Sequence, residues 1–386
     1  MIPYGRQDIN DADIQSVVDV LKSDFLTQGP AVPTFEKSVS DYCGAKYAVS
    51  ANSATSVLHI ACLALGVGKG DLVWTSPITF VASANCALYC GAEVDFVDID
   101  PRTFNISVDK LAEKLADAKL KGRLPKVVIP VHLCGQSCDM AAIFRLSVEY
   151  GFKIIEDASH AIGGKYLNKP IGNCDYSDIT VFSFHPVKII TTAEGGLATT
   201  NNPLIAKKMF LLRSHGITRD QDDMVNTSHG TWYYEQIELG FNYRMTDIQA
   251  SLGVSQMQRL DTFVNKRHQI ANRYNAELSS LPLTQQHQMT DAHSAFHLYV
   301  IRLQLSDISK THRQVFVDLR QAGILVNLHY MPVYLQPYYK KMGFETGYCP
   351  EAERYYAEAI SLPMYTTLTD EQQGLVINTL TQVLQS

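Results

Sequence analysis

The sequence predicts an α/β protein: a mostly parallel sheet with helices on both faces, followed by a smaller C-terminal α+β domain. Three observations carry this. Apolar strand-like runs alternate with helical periodicity from Lys46 to Thr200. Beyond Ile248, strand and helix patterns mix without an internal repeat. The chain has 386 residues, enough for one large core and a second, smaller domain. The expected division is an N-terminal segment over 1–25, a large α/β domain over 26–248, and a linking helix with the small domain over 249–386.

The elements follow in order. Asp11–Ser23 places Ile14, Val17, Val18 and Leu21 on one side of a helix, and Gly29, Pro30 and Pro33 break the pattern. Thr34–Tyr42 is a second short helix with Phe35 and Val39 inward. Tyr47–Ser50 is a brief strand, Ala51–Thr55 a small-residue turn, and a helical run continues to Leu65. Strands are expected at Asp71–Ser76, Glu93–Val97 and Lys126–Val131. The last ends at His132, which either borders a site or is a structural histidine. Helices are expected over Val108–Lys119 and from Asp139–Met140 to Tyr150, and Phe152–Glu156 is the strand that delivers Asp157. Asp175–Phe184 carries the chain back, and Arg213–Gly230 is a long polar, acid-rich loop. In the C-terminal part, Ile248–Ala276 reads as one long helix, Phe296–Leu303 and Leu325–Tyr330 as strands, and Ile308–Ala322 and Glu351–Ala359 as helices. Ser361–Pro363 introduces the last strand, and Thr369 with Gln372 forms a capping box for the final helix.

Bulk properties narrow the function. Apolar residues make up 46% and charged residues 19%, the balance of an ordinary globule. The opening MIPYGRQDIND has no basic region leading into an apolar one, and no run of eighteen apolar residues occurs. The expected location is therefore the cytoplasm, with no membrane partner. A formal charge of −6 argues against nucleic acid as partner but leaves a phosphate-bearing small substrate open. The eight cysteines include two C-x3-C pairs, Cys86/Cys90 and Cys134/Cys138, in apolar surroundings. That spacing differs from the usual zinc knuckle, so reduced, buried thiols and no metal site are expected.

One stretch carries the chemistry: Val181–Gly196, VFSFHPVKIITTAEGG. Lys188 is either a snorkelling lysine at a strand end or an amine in an apolar slot, its pKa lowered, ready to form a Schiff base. Upstream, IIEDASHA puts Asp157 at the end of an apolar strand. An aspartate followed by such a lysine is the pairing pyridoxal 5'-phosphate needs: the carboxylate keeps the pyridine nitrogen protonated and the lysine carries the aldehyde carbon. The turn at Ser53, Ala54 and Thr55, with a helix N-terminus behind it, is the candidate phosphate cradle. Gly195–Gly196 permits backbone angles or a close approach denied to other residues.

These segments, together with Asn52, the block GFNYRMTD at Gly240–Asp247, LTQGP at Leu26–Pro30 and HYMPVY at His329–Tyr334, resemble the sugar aminotransferases of the DegT/StrS type. The resemblance covers nearly the whole chain. It implies the aspartate-aminotransferase-like fold of the type I pyridoxal-phosphate enzymes, with Lys188 as tether and proton shuttle and Asp157 on the pyridinium. It further implies that Phe80 stacks on the cofactor ring and that Ser183 binds its phosphate; His160, three residues after Asp157, is expected to contact the cofactor, with the substrate as the alternative. His185, Gln28 and His329 would lie at the substrate. In this family an asparagine reaches across a dimer interface to the partner's cofactor phosphate, and Asn242 matches it, so a homodimer with shared sites is implied.

The implied reaction takes an amino group from L-glutamate, leaves pyridoxamine 5'-phosphate, and passes the amine to a nucleotide-linked keto sugar. FSFHPVK, ITTAEGG and RSHGI look like the pseudaminic acid branch of the family. The expected substrate is then a UDP-4-keto-6-deoxy-N-acetylhexosamine of L-arabino configuration, aminated at C4 to UDP-4-amino-4,6-dideoxy-N-acetyl-β-L-altrosamine. Another UDP- or dTDP-linked 3- or 4-keto sugar is the alternative. Three further classes fit less well. The related 3-dehydratases replace the lysine with histidine, an aldolase or lyase would not be expected to carry the NSAT and GFNYRMTD blocks, and a regulator would need a DNA-binding element that the sequence lacks.

Overall fold

The computed structural model describes residues 1–385. The chain opens with β1 (Ile2–Pro3), α1 (Asp11–Leu21) and α2 (Ala31–Cys43). The large domain then runs β2 (Tyr47–Ala51), α3 (Ala54–Ala64), β3 (Leu72–Thr75), α4 (Ala82–Tyr89), β4 (Glu93–Phe96), α5 (Val108–Leu120), β5 (Val127–Ile129), α6 (Met140–Tyr150) and β6 (Lys153–Asp157). After a small hairpin, β7 (Lys165–Tyr166) and β8 (Lys169–Pro170), come β9 (Ile179–Ser183), β10 (Gly196–Thr200) and α7 (Pro203–Arg213). The acid-rich loop folds on itself through β11 (Ile217–Thr218) and β12 (Glu235–Gln236).

Seven strands form the central sheet in the order β2-β10-β9-β6-β5-β3-β4. The β9-β6-β5-β3-β4 neighbours are all parallel, and β10 runs antiparallel to both β2 and β9. The central β5 reads as a continuous apolar run with every residue buried because both faces are covered, whereas the edge strand β4 alternates as EVDF. On one face α3 and α7 pack Val57, Leu58, Ile60, Met209 and Leu212 against the sheet. On the other, α5 and α6 bring Leu111, Leu115 and Ile143 onto Trp74, Val128 and Ile154. Phe35 and Val39 of α2 are buried against Phe182, Phe184 and Met245.

The rest of the chain comprises α8 (Asp247–Met257), α9 (Leu260–Glu277), β13 (Leu283–Gln285), β14 (Ala292–His293), β15 (Tyr299–Leu303), α10 (His312–Gln321), β16 (Ile324–Leu325), α11 (Pro337–Lys340), α12 (Pro350–Glu358), β17 (Ala359–Leu362) and α13 (Asp370–Gln385). An antiparallel sheet β13-β15-β17 packs with α9, α10 and α13 around Val315, Leu319, Ile360, Val376 and Leu380. The N-terminal segment joins this core: β1 pairs parallel with β16, and Ile2 is buried there.

Two expected elements differ. The single helix over 248–276 is two, α8 and α9, broken at Gln258–Arg259. At the break the Arg259 side chain turns to Asp8 (2.9 Å) and the buried Asp13 (2.5 Å), which fastens α1 alongside α8. The strand over 325–330 is confined to Ile324–Leu325; Asn327 makes one isolated bridge to Ser361, and the residues after it turn toward the cavity described below. The Thr369–Gln372 box forms as expected. Among the described residues, no helix is long and apolar enough to cross a membrane, and all eight cysteines are free thiols.

Candidate active site

A cavity of about 1020 Å³ opens where β6 and β9 end, between the N-terminus of α3 and the segment 327–330. Ligands of parallel α/β sheets bind at these carboxyl ends. Asp157 closes β6 and is 5% exposed. Its Oδ2 accepts from the Ser83 hydroxyl (2.5 Å) and its Oδ1 from the Ser159 amide (3.1 Å). An aspartate so buried and oriented is ready for a cationic partner.

Lys188 enters from the loop between β9 and β10. Phe184 N–H donates to Gly195 O and Thr192 N–H to Phe184 O, which ties the two arms of that loop together. Among the described residues, Nζ has neither a hydrogen-bond nor an ion-pair partner. Burial pushes its pKa down to about 8, and the charge of Asp157 pulls the other way. The result is a reactive amine rather than a snorkelling one.

The N-terminus of α3 forms the opposite wall. Ser53 is its N-cap: its hydroxyl accepts the Ser56 amide (3.1 Å) and its carbonyl the Val57 amide (3.1 Å), which leaves the Ala54 and Thr55 amides without an intrahelical acceptor. Gly196 lets β10 come this close: a Cβ there would lie 2.4 Å from Ala54 N. The GFNYRMTD block buttresses the turn, because Asn52 N–H donates to Tyr243 O (2.7 Å). Ser183 and Thr55 add hydroxyls to the same cavity.

Two histidines of the cavity lining, His160 and His329, come next. His160 Nδ1 accepts the Cys134 amide (3.3 Å), which leaves its proton on Nε2, 3.4 Å from the Tyr330 hydroxyl. His329 Nδ1 pairs with Ser361 Oγ (2.8 Å), and its ring lies 5.1 Å from that of Tyr4. Burial, then the charge of Lys188, pushes His329 down to about 3. The same causes, in the same order, push His160 well below the ordinary histidine range. Both rings are therefore neutral beside the lysine. Phe80, 58% exposed, stands at the rim with its ring 6.4 Å from that of Tyr330.

The structure thus brings together Lys188, Asp157, His185, His160, Ser183, Ser53, Ala54, Thr55, Phe80 and His329. It leaves two expected residues outside the cavity of this chain. Gln28 is exposed on the loop before α2, which Asp247 pins through the Gly29 and Ala31 amides (2.8 Å each). Asn242 is exposed and bridges Ser214 through its backbone. His132 is a structural histidine: its Nε2 meets Glu156 Oε2 at 2.7 Å, fully buried, and its Nδ1 accepts the Cys138 amide. Sequence reasoning missed Ser83, His297, Tyr330 and Tyr4. Tyr330 sits in the HYMPVY block and could have been found there, whereas Ser83 meets Asp157 only through the fold.

These features fit pyridoxal phosphate: an unpartnered lysine, a buried carboxylate held by two donors, and a helix N-terminus that a Cβ at position 196 would close. A profile of the DegT/DnrJ/EryC1/StrS aminotransferase family matches residues 7–381. The chain belongs to this family. The UDP-4-amino-4,6-dideoxy-N-acetyl-beta-L-altrosamine transaminase of Campylobacter jejuni strain 81-176 is 36% identical to it over 100% of this chain and 98% of the relative. The GDP-perosamine synthase of Caulobacter vibrioides is also 36% identical, over 98% and 96% respectively. The sugar aminotransferase Spr1654 of Streptococcus pneumoniae, described as putative, superimposes with a TM-score of 0.90 at 32% identity, covering 100% of this chain and 99% of that one. That neighbour has been solved in both pyridoxamine and pyridoxal phosphate forms. This member of the DegT family is a pyridoxal-phosphate-dependent sugar aminotransferase.

Proposed function

We propose that this aminotransferase moves the amino group of L-glutamate to C4 of a UDP-4-keto-6-deoxy-N-acetylhexosamine of L-arabino configuration. The product is UDP-4-amino-4,6-dideoxy-N-acetyl-β-L-altrosamine, a step of pseudaminic acid biosynthesis. The observation that carries this reading is the full-length identity to the Campylobacter jejuni transaminase. The equal identity to the Caulobacter vibrioides GDP-perosamine synthase favours a second reading, another nucleotide-linked keto sugar.

Bound pyridoxal phosphate supplies an aldehyde carbon for the amine and a pyridinium that accepts electrons as a proton leaves the adjoining carbon. The chain's own groups do the rest. Asp157, held by Ser83 and Ser159, accepts the pyridinium N–H and keeps it protonated. The first-turn amides of α3, with Thr55 and Ser183, hold the phosphate beside Ser53 and Ala54. Phe80 covers one ring face, and His160 donates from Nε2. Lys188 is the tether and then carries the proton between carbon and cofactor; a pKa near 8 lets it both accept and release that proton at neutral pH. His185, His329 and Gln28 contact the sugar substrate. Asn242 serves the partner's cradle in a homodimer with shared sites.

The test is spectroscopic. Protein loaded with pyridoxal phosphate is bleached in the visible by L-glutamate and then offered each keto sugar. Recovery with the UDP-L-arabino ketosugar alone is expected. Recovery only with a GDP- or dTDP-linked sugar would move the enzyme to the second reading.

A further inference from the structure

Two buried imidazoles from distant parts of the chain stand side by side in this cavity, and only one has its hydrogen bonds accounted for. His160, three residues after β6, is 5% exposed; His297, two residues before β15, is 4% exposed and lines the same cavity. Their ring centroids are 4.4 Å apart with planes at 49°. His160 is fixed by the Cys134 amide and the Tyr330 hydroxyl. Neither ring nitrogen of His297 has a hydrogen-bond partner among the described residues, and its Nδ1 is sealed off entirely. Leaving a buried imidazole without partners costs stability that a phenyl ring in the same place would not.

The backbone around this pair is built to hold it. Gly135, at φ +107°, has no room for a Cβ, which would lie 2.8 Å from Phe296 N, 2.9 Å from His160 O and 3.1 Å from His297 N. Cys134 and Phe296 also sit at positive φ, +64° and +46°. Ala295 N–H donates to Gly135 O, and Leu298 N–H to Cys134 O. From the far side the buried Arg267 donates through Nη1 to the carbonyls of both Phe296 and His297 (3.1 Å each). Strained backbone gathered in one place is held there by its surroundings and concentrates at functional sites.

The protonation of His297 follows from its neighbours. Burial and the cationic or ionisable groups facing it, His160, Lys188, Arg267 and His329, all disfavour a charge on the ring. One proton therefore remains. A buried orphan N–H is rarer than an under-used acceptor, so Nδ1 carries the lone pair and the proton lies on Nε2, the nitrogen the protein does not seal.

We propose that His297 is a further ligand-binding residue of this cavity, its imidazole N–H joining that of His160 to hold an oxyanion of a bound molecule. Two sources supply such an oxygen: the phenolic oxygen of pyridoxal phosphate and a carboxylate of the amino donor. The inference rests on the cofactor reading above.

The experiment is a spectrophotometric pH titration of the loaded enzyme, comparing wild type with His297→Phe, His297→Gln and His160→Phe. Glutarate, an unreactive dicarboxylate, is then titrated into each. Thermal denaturation checks that each variant is folded, and His297→Leu is read in the same way if the phenyl ring is not tolerated. Losing a donor to the phenolic oxygen raises the pH midpoint of the lysine-linked cofactor by about 0.5 unit or more, roughly threefold in the equilibrium. His297→Gln, which restores an N–H, is expected to stay nearer wild type. A raised midpoint in His297→Phe assigns the oxygen to the cofactor. A threefold or greater loss of glutarate affinity (about 0.7 kcal/mol) with an unchanged midpoint assigns it to the donor carboxylate. Wild-type midpoint and glutarate affinity in His297→Phe, with a shifted midpoint in His160→Phe, would overturn the proposal and leave the cofactor reading intact. No shift in either variant would overturn both the proposal and the placement of His160 on the cofactor.

Discussion

Lys188 and Asp157 line the same cavity. The Asp157 carboxylate is buried and accepts from the Ser83 hydroxyl and the Ser159 amide. The lysine is pushed to about 8 by burial. Lys188→Ala is expected to lower turnover by about 10²–10⁴-fold or more, because it removes the group that moves the proton; single-turnover kinetics with glutamate measure this. The lysine also affects stability in the cofactor-free protein. Its folded pKa lies below its unfolded value of 10.5, so the unfolded chain holds more protons between about pH 8 and 10.5 and stability rises with pH across that window. Apo Lys188→Met should therefore be more stable than wild type at pH 7, by up to about 3–4 kcal/mol, with the gain fading toward pH 10.5. Denaturant unfolding at several pH values checks it. Both residues were legible in the sequence because each sits in a short, distinctive block. Ser83 and His297 were not, since their meaning lies in contacts with Asp157 and His160 that only the fold makes.

Among the elements, α3 depends on a strand that precedes α7 in the chain. Gly196 begins β10 and lies against the α3 N-terminus, so Gly196→Ala must displace Ala54. The expected cost is ~1–3 kcal/mol of stability together with weakened pyridoxal phosphate binding, read by thermal denaturation and by titration with the cofactor. Asp247 does similar work for α2. Pro30, the N-cap of α2, supplies no side-chain acceptor, and Asp247 accepts the Gly29 and Ala31 amides from 216 residues or more away. Asp247→Ala should cost roughly 2–3 kcal/mol and loosen the loop carrying Gln28. The periodicity of α2, α5 and α6 was readable because each buries one apolar stripe. The break between α8 and α9 was not, because no proline or glycine marks it; Arg259 turns there to reach Asp8 and Asp13. Leu325–Tyr330 reads as a strand by composition, yet Ile324–Leu325 pairs only with the two-residue β1 and Asn327 makes a single isolated bridge to Ser361.

At the scale of the whole molecule, one chain's cavity is lined, among the described residues, by Lys188 and by no arginine, while the cofactor brings a phosphate. Asn242 lies outside that cavity, which suits a residue that serves a second copy. If sites are shared, mixing Lys188→Ala with Asn242→Ala protein after mild dissociation restores up to about a quarter of wild-type activity, since half the dimers then contain one intact site. Absence of any recovery would place each site within a single chain. The central sheet was legible from the alternation of strand and helix patterns. The pairing of β1 with β16 was not, because two residues carry too little pattern.

The central claim is that Lys188 holds pyridoxal phosphate, and chemical trapping tests it most directly. The loaded protein is reduced with borohydride, digested, and its peptides are weighed and sequenced by mass spectrometry. The account predicts a phosphopyridoxyl group on Lys188 alone, absent from Lys188→Ala protein. The same mass on another lysine, or its persistence in the variant, would contradict it.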